Sequence, residues 1–152
     1  MRLLFLSTAL VVLAACGKSL DTTVDVATGW GDYAWGTDQA KVEKDLGLED
    51  ADRTVEGRRT TVKSGRIRKL NGAKANVRYI FVGGKLAGVA LFFLSRADPD
   101  DARAGMIDWF GPETEPDGWR KGLVRAKLIR VEEGPRFLVV IFHDEFALKR
   151  GD

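Results

Sequence analysis

Residues 74–94 read KANVRYIFVGGKLAGVALFFL. In the first part, Val77, Tyr79 and Phe81 share one face and Asn76 and Arg78 take the other, the period-two alternation of a half-buried strand. Gly83-Gly84 marks a tight turn, and the largely apolar run 86–94 returns as a buried strand. An antiparallel hairpin in the middle of the chain therefore sets the fold.

Further strand signals lie on both sides of it. Downstream, Val124, Ala126 and Leu128 alternate with Arg125 and Lys127, a turn falls at Glu132-Glu133-Gly134-Pro135, and 137–142 (FLVVIF) is apolar throughout, as a central strand would be. Upstream, a strand is expected within 58–70. Two helices complete the pattern. In the first, Thr37 caps the start, Val42 and Leu46 fall on one face, and Gly47 supplies the stop. In the second, Asp98 caps, Pro99 occupies the first helical position, and Asp100 and Asp101 favour the positive end of the helix dipole. Ala102, Met106, Trp109 and Phe110 form its apolar stripe, and Gly111-Pro112 ends it. The expected fold class is α+β: an antiparallel sheet with two helices packed on one face. Leu46-Gly47 and Phe110-Gly111 each close a helix that precedes a hairpin, so two helix–hairpin units are one option and an ordinary α+β domain the other.

The length of 152 residues sets a prior of one domain, and 45% hydrophobic with 30% charged residues is the mix of a compact fold. With 24 basic and 22 acidic residues, the charge of +2 gives no overall pull toward nucleic acid. One cysteine excludes an internal disulfide, and one histidine excludes a cluster of imidazole ligands.

The N-terminus is MRLLFLSTALVVLAAC. Arg2 precedes an apolar run over 3–15, too short for a helix that crosses a bilayer, which takes about 20 residues, and of the length found in export signals. Leu13-Ala14-Ala15-Cys16 resembles the lipobox of bacterial lipoproteins. That resemblance implies diacylglyceryl transfer to the Cys16 thiol, cleavage before it and acylation of the new amine. Two acyl chains anchor where one gives only marginal binding. Gly17, where aspartate retains such proteins in the inner membrane, implies the outer membrane with the domain facing the periplasm. The chain then divides into a signal peptide (1–15), lipidated cysteine and tether (16–29) and an α+β domain (30–150). Within the domain, Trp35-Gly36-Thr37, Val42, Leu46-Gly47, Tyr79, Phe81 and Gly84-Lys85-Leu86 make 35–94 similar to the small BamE-like envelope lipoproteins. That resemblance implies a small α+β domain in a protein that assists assembly of outer-membrane β-barrels.

Catalytic chemistry finds no motif. Ser19, Ser64 and Ser95 lie in no nucleophile elbow. His143-Asp144-Glu145 reads as an ordinary strand end, with a general acid/base group or half a metal site as the alternative. Asp98, Asp100 and Asp101 read as helix capping, because Arg103 and Trp109 stand where a calcium loop needs glycine and glutamate. No cofactor or metal is expected, and the chain is not expected to be an enzyme.

Two groups remain as candidate contacts. Arg58, Arg59, Lys63, Arg66 and Arg68, followed by Lys69 and Lys74, form a basic segment suited to anionic lipid or an acidic partner. The alternative is a solvated face that blocks edge-to-edge pairing. Trp30, Tyr33 and Trp35 offer an aromatic contact surface or simple packing at the sheet edge. The leading expectation is a lipid-anchored, non-enzymatic scaffold or protein-binding module that engages an envelope protein and no nucleic acid. The alternative is a small-ligand or lipid binder using a cleft with a basic rim.

Overall fold

The computed structural model describes residues 25–48, 52–94, 96–131 and 136–147; Cys16, the export signal and most of the expected tether lie outside them. In chain order the elements are β1 (Gly29–Trp30), β2 (Tyr33–Ala34), α1 (Gln39–Leu46), β3 (Arg53–Glu56), β4 (Arg59–Leu70), β5 (Ala73–Val82) and β6 (Lys85–Phe93). There follow α2 (Pro99–Phe110), β7 (Gly118–Lys121), β8 (Val124–Arg130), β9 (Phe137–His143) and α3 (Asp144–Ala147).

The expected α+β class is incorrect. Among the described residues 51% are in strands and 22% in helices. Seven strands form one antiparallel sheet in the order β3-β4-β5-β6-β9-β8-β7, and β1 and β2 pair separately. The helices are short, and α1 buries only Val42. The cause of the difference is strand length and number. The expected strand within 58–70 runs for twelve residues, and β3 and β7 add two edges. In place of two hairpins, α1 is followed by four consecutive strands and α2 by three, and the two runs join where β6 pairs with β9.

Local chemistry explains the elements. At the β5–β6 turn, Gly83 and Gly84 have φ of 58° and 75°, the double positive φ that a two-residue hairpin demands. Asp98 Oδ1 accepts from the Asp100 N–H at 2.9 Å, and Pro99 opens α2. The cap of α1 is Asp38 rather than Thr37, whose hydroxyl donates to the Ala34 carbonyl at 2.7 Å.

Residues paired across strands project to the same side, so the register defines two faces. One carries Val62, Val77, Tyr79, Phe81, Val89, Leu91, Val139 and Ile141, which join Val42 of α1 and Ala102, Met106 and Phe110 of α2 in a single core. Contact there is close: a Cβ on Gly105 of α2 would stand 2.8 Å from Leu70 Cβ. The other face carries Ile80, Ala90, Phe92, Leu138, Val140 and Phe142, and the helices contribute no residue to a core against it. Among the described residues this is the open face. The folded body also reaches further back than Trp30. Val26, within the segment read as tether, is buried, and the Trp35 Nε1–H donates to its carbonyl at 2.9 Å.

Candidate functional site

The basic segment does not act as one surface, because alternation along β4 sends its cations to opposite sides of the sheet, and a bulge interrupts the strand between them. Register with β5 shifts between Lys63 and Ile67, and Gly65 there has φ of 64°, a left-handed conformation that favours glycine. The bulge is tied down: Ser64 Oγ donates to the Val77 carbonyl at 2.7 Å and accepts from the Arg66 N–H at 3.1 Å. The bulge inserts two extra residues, so the alternation of sides continues through it. Arg59, Lys63 and Lys69 lie on the open face, Arg66 and Arg68 turn toward the helix side, and Arg58 sits in the turn before β4.

Of the two readings of the aromatic group, burial agrees with packing and not with a contact surface. Trp30, Tyr33 and Trp35 are buried, so they form no exposed contact surface. The β1–β2 hairpin folds them inward. Trp30 meets Trp109 edge-on at 5.4 Å between ring centres, and Tyr33 meets Tyr79 in the same way at 5.9 Å.

Together these elements enclose a cleft of about 290 Å³. The β1–β2 turn contributes Asp32 and Tyr33, α1 contributes Lys41 and Asp45, the bulge contributes Arg66 and Arg68, and β5 contributes Tyr79. Arg68 is held over the Trp30 ring at 5.7 Å, a cation–π contact. Lys41 is paired with Asp45 at 2.6 Å. Arg66 is exposed and has no ion-pair partner among the described residues. Tyr33 and Tyr79 are the chain's two tyrosines, and neither hydroxyl has a hydrogen-bond partner among the described residues. Burial pushes the Tyr79 phenol up to about 12, with Tyr33 adding to the rise and Arg66 and Arg68 opposing it. Burial also raises Tyr33, followed by the charge of Asp45, against Arg66 and Lys41. Both hydroxyls are therefore proton donors at neutral pH.

The open face is strongly basic. Of its strand residues nine are Lys or Arg and one, Glu56, is acidic. Like charges stand directly opposite each other at Lys63–Arg78, Lys69–Lys74 and Arg120–Arg125. Asp144 bridges the last pair, accepting from Arg120 at 2.9 Å and Arg125 at 2.5 Å. Lys63, Lys69, Lys74 and Arg78 have no ion-pair partner among the described residues. Arg78 stacks over Phe92 at 3.8 Å instead.

His143 lies among the rings of Trp35 and Phe146, at 6.2 and 5.1 Å, and its Nδ1 has no partner among the described residues. Asp144 turns away to the two arginines, so the His143-Asp144-Glu145 run is not brought together as an acid/base group. Residues that sequence reasoning missed are Lys41, Asp45 and Tyr79 in the cleft and Arg78, Arg120 and Arg125 on the open face. Alternation within 74–82 and 124–128 already gave sides to Tyr79, Arg78 and Arg125. Only pairing shows what each side meets.

Compared with known proteins, the chain matches no family model, no curated protein and no solved structure.

Proposed function

We propose that this chain is a lipid-anchored protein of the bacterial envelope, held at Cys16 in the outer membrane and facing the periplasm. Its folded domain acts as a non-enzymatic docking module for an acidic protein. The lipobox resemblance of Leu13-Ala14-Ala15-Cys16 supports the anchor, and the BamE-like resemblance of 35–94 agrees with a role beside envelope proteins. Residues 17–25 reach about 30 Å at most, which keeps the module close to the bilayer.

The observation that carries the docking role is the uncompensated charge at Lys63–Arg78 and Lys69–Lys74. Directly opposed like charges destabilise a sheet. Protection of the sheet edge accounts for cations on β4, whose second half has no strand beyond it among the described residues, but not for matching cations on the internal strand β5. An acidic partner supplies the missing counter-charge, and half-buried Phe92 and exposed Ile67 offer apolar contact beside it.

A photoreactive residue at Asn76, exposed on the open face opposite Ile67, tests the reading in intact cells. The expected result is an adduct with another protein that disappears when Lys63→Glu and Lys69→Glu are combined. Adducts with lipid alone, or adducts unchanged by charge reversal, would overturn it.

A further inference from the structure

The cleft lies on the opposite side of β4 from the docking face and stands on separate observations. We infer that it is a binding site for a small molecule bearing one carboxylate or phosphate group, gripped by the Arg66 guanidinium and the hydroxyls of Tyr33 and Tyr79. The bulge supplies the first argument. Its Ser64 hydrogen bonds hold in place a two-residue bulge that ends at Arg66, which lines the cleft, and bulges are over-represented next to functional sites. Donor chemistry supplies the second. Tyr33 and Tyr79 come from separate elements, meet edge-on at 5.9 Å, and both have hydroxyls without a partner among the described residues. Two hydroxyl donors without a protein partner among the described residues, lining one cleft beside a guanidinium without an ion pair, define a place for an anionic acceptor.

Charge around the cleft limits the ligand further. Lys41 is occupied by Asp45, and Arg68 by its place over Trp30. Arg66 is then the cation that faces the ligand. Asp32 on the β1–β2 turn also lines the cleft, so a second anionic group there is disfavoured and a hydroxyl or ammonium is accepted. A volume of about 290 Å³ is at the lower end for ligand pockets, which suits a monosaccharide or an amino-acid derivative better than an acyl chain.

The two tyrosines make the test direct, because every tyrosine signal of the chain comes from this cleft. The intact chain labelled with ¹³C-tyrosine is titrated with N-acetylglycine, with its methyl ester, with glycerol 3-phosphate and with inorganic phosphate. Saturable ring-carbon shifts with N-acetylglycine support a carboxylate ligand, and the same shifts with either phosphate probe support a phosphate ligand. In both cases Arg66→Gln, at an exposed position, weakens binding at least tenfold, and Tyr33→Phe weakens it severalfold as read on Tyr79. No saturable shift with any anion, an equal response to the ester, or undiminished affinity in Arg66→Gln would overturn the assignment.

Discussion

Lys63 stands directly opposite Arg78 on the open face with no carboxylate paired to either among the described residues, whereas the equivalent opposition of Arg120 and Arg125 is bridged by Asp144. One sheet thus contains a like-charge pair bridged by a carboxylate and two that are not. The contrast makes charge substitution informative.

Replacing Lys74, which opposes Lys69, converts repulsion into attraction. Lys74→Glu is expected to raise the unfolding free energy by about 0.5 kcal/mol in urea titration while weakening capture of the partner protein. Asp144→Ala acts in the other sense. It leaves Arg120 and Arg125 facing each other and is expected to cost about 1 kcal/mol, because both arginines are half exposed and solvent screens them.

The tyrosines predict a pH dependence at the alkaline end. The folded Tyr79 phenol titrates near 12 against a reference of 10.0, so the folded chain keeps a proton that the unfolded chain loses. The resulting stability, about 3 kcal/mol for two units, is fully present below pH 10 and is lost as pH rises through 12. Phenolate absorbance near 295 nm is expected only above pH 10, and Tyr79→Phe flattens the decline in stability over that interval.

Close contact between α2 and β4 depends on a missing methyl group. A Cβ on Gly105 would come within 2.8 Å of Leu70 Cβ and 3.2 Å of its backbone. Alanine adds up to about 1 kcal/mol of helix propensity, but the clash costs about 1–3 kcal/mol. Gly105→Ala is therefore expected to lower the thermal midpoint, with a net loss of about 1 kcal/mol. An unchanged midpoint shows that α2 can lift from Leu70 freely.

Removing the proposed anchor tests the address. With both acyl chains lost, Cys16→Ala is expected to move the protein from the membrane pellet to the soluble fraction. The thermal midpoint is expected to stay the same, since among the described residues the buried core begins at Val26. Retention in the pellet defeats the lipid-anchor reading.

Much of the sheet was legible because its signals are local. The 74–94 hairpin, the alternating 124–128 strand, the apolar 137–142 run and the Asp98–Pro99 start of α2 depend on neighbours within a few residues. The edge strands β3 (RTVE) and β7 (GWRK) were not legible, since four mostly polar residues become a strand only beside a partner. Missing them, and the full length of β4, made the chain look like α+β. Val26 was hidden for the same reason, because a single valine shows no periodicity.

By itself, the order of residues determined where the central strands and the principal helix form, and it alone carries the reading of Cys16. Tertiary structure decided which side chains meet. Alternation assigns sides only relative to the same strand; the two extra residues of the bulge at Gly65 leave that assignment unchanged, and pairing decides what each side meets. Alternation along β4 splits the basic segment into two surfaces, and the tertiary fold brings Tyr33 and Tyr79, distant in the chain, into one cleft with Arg66.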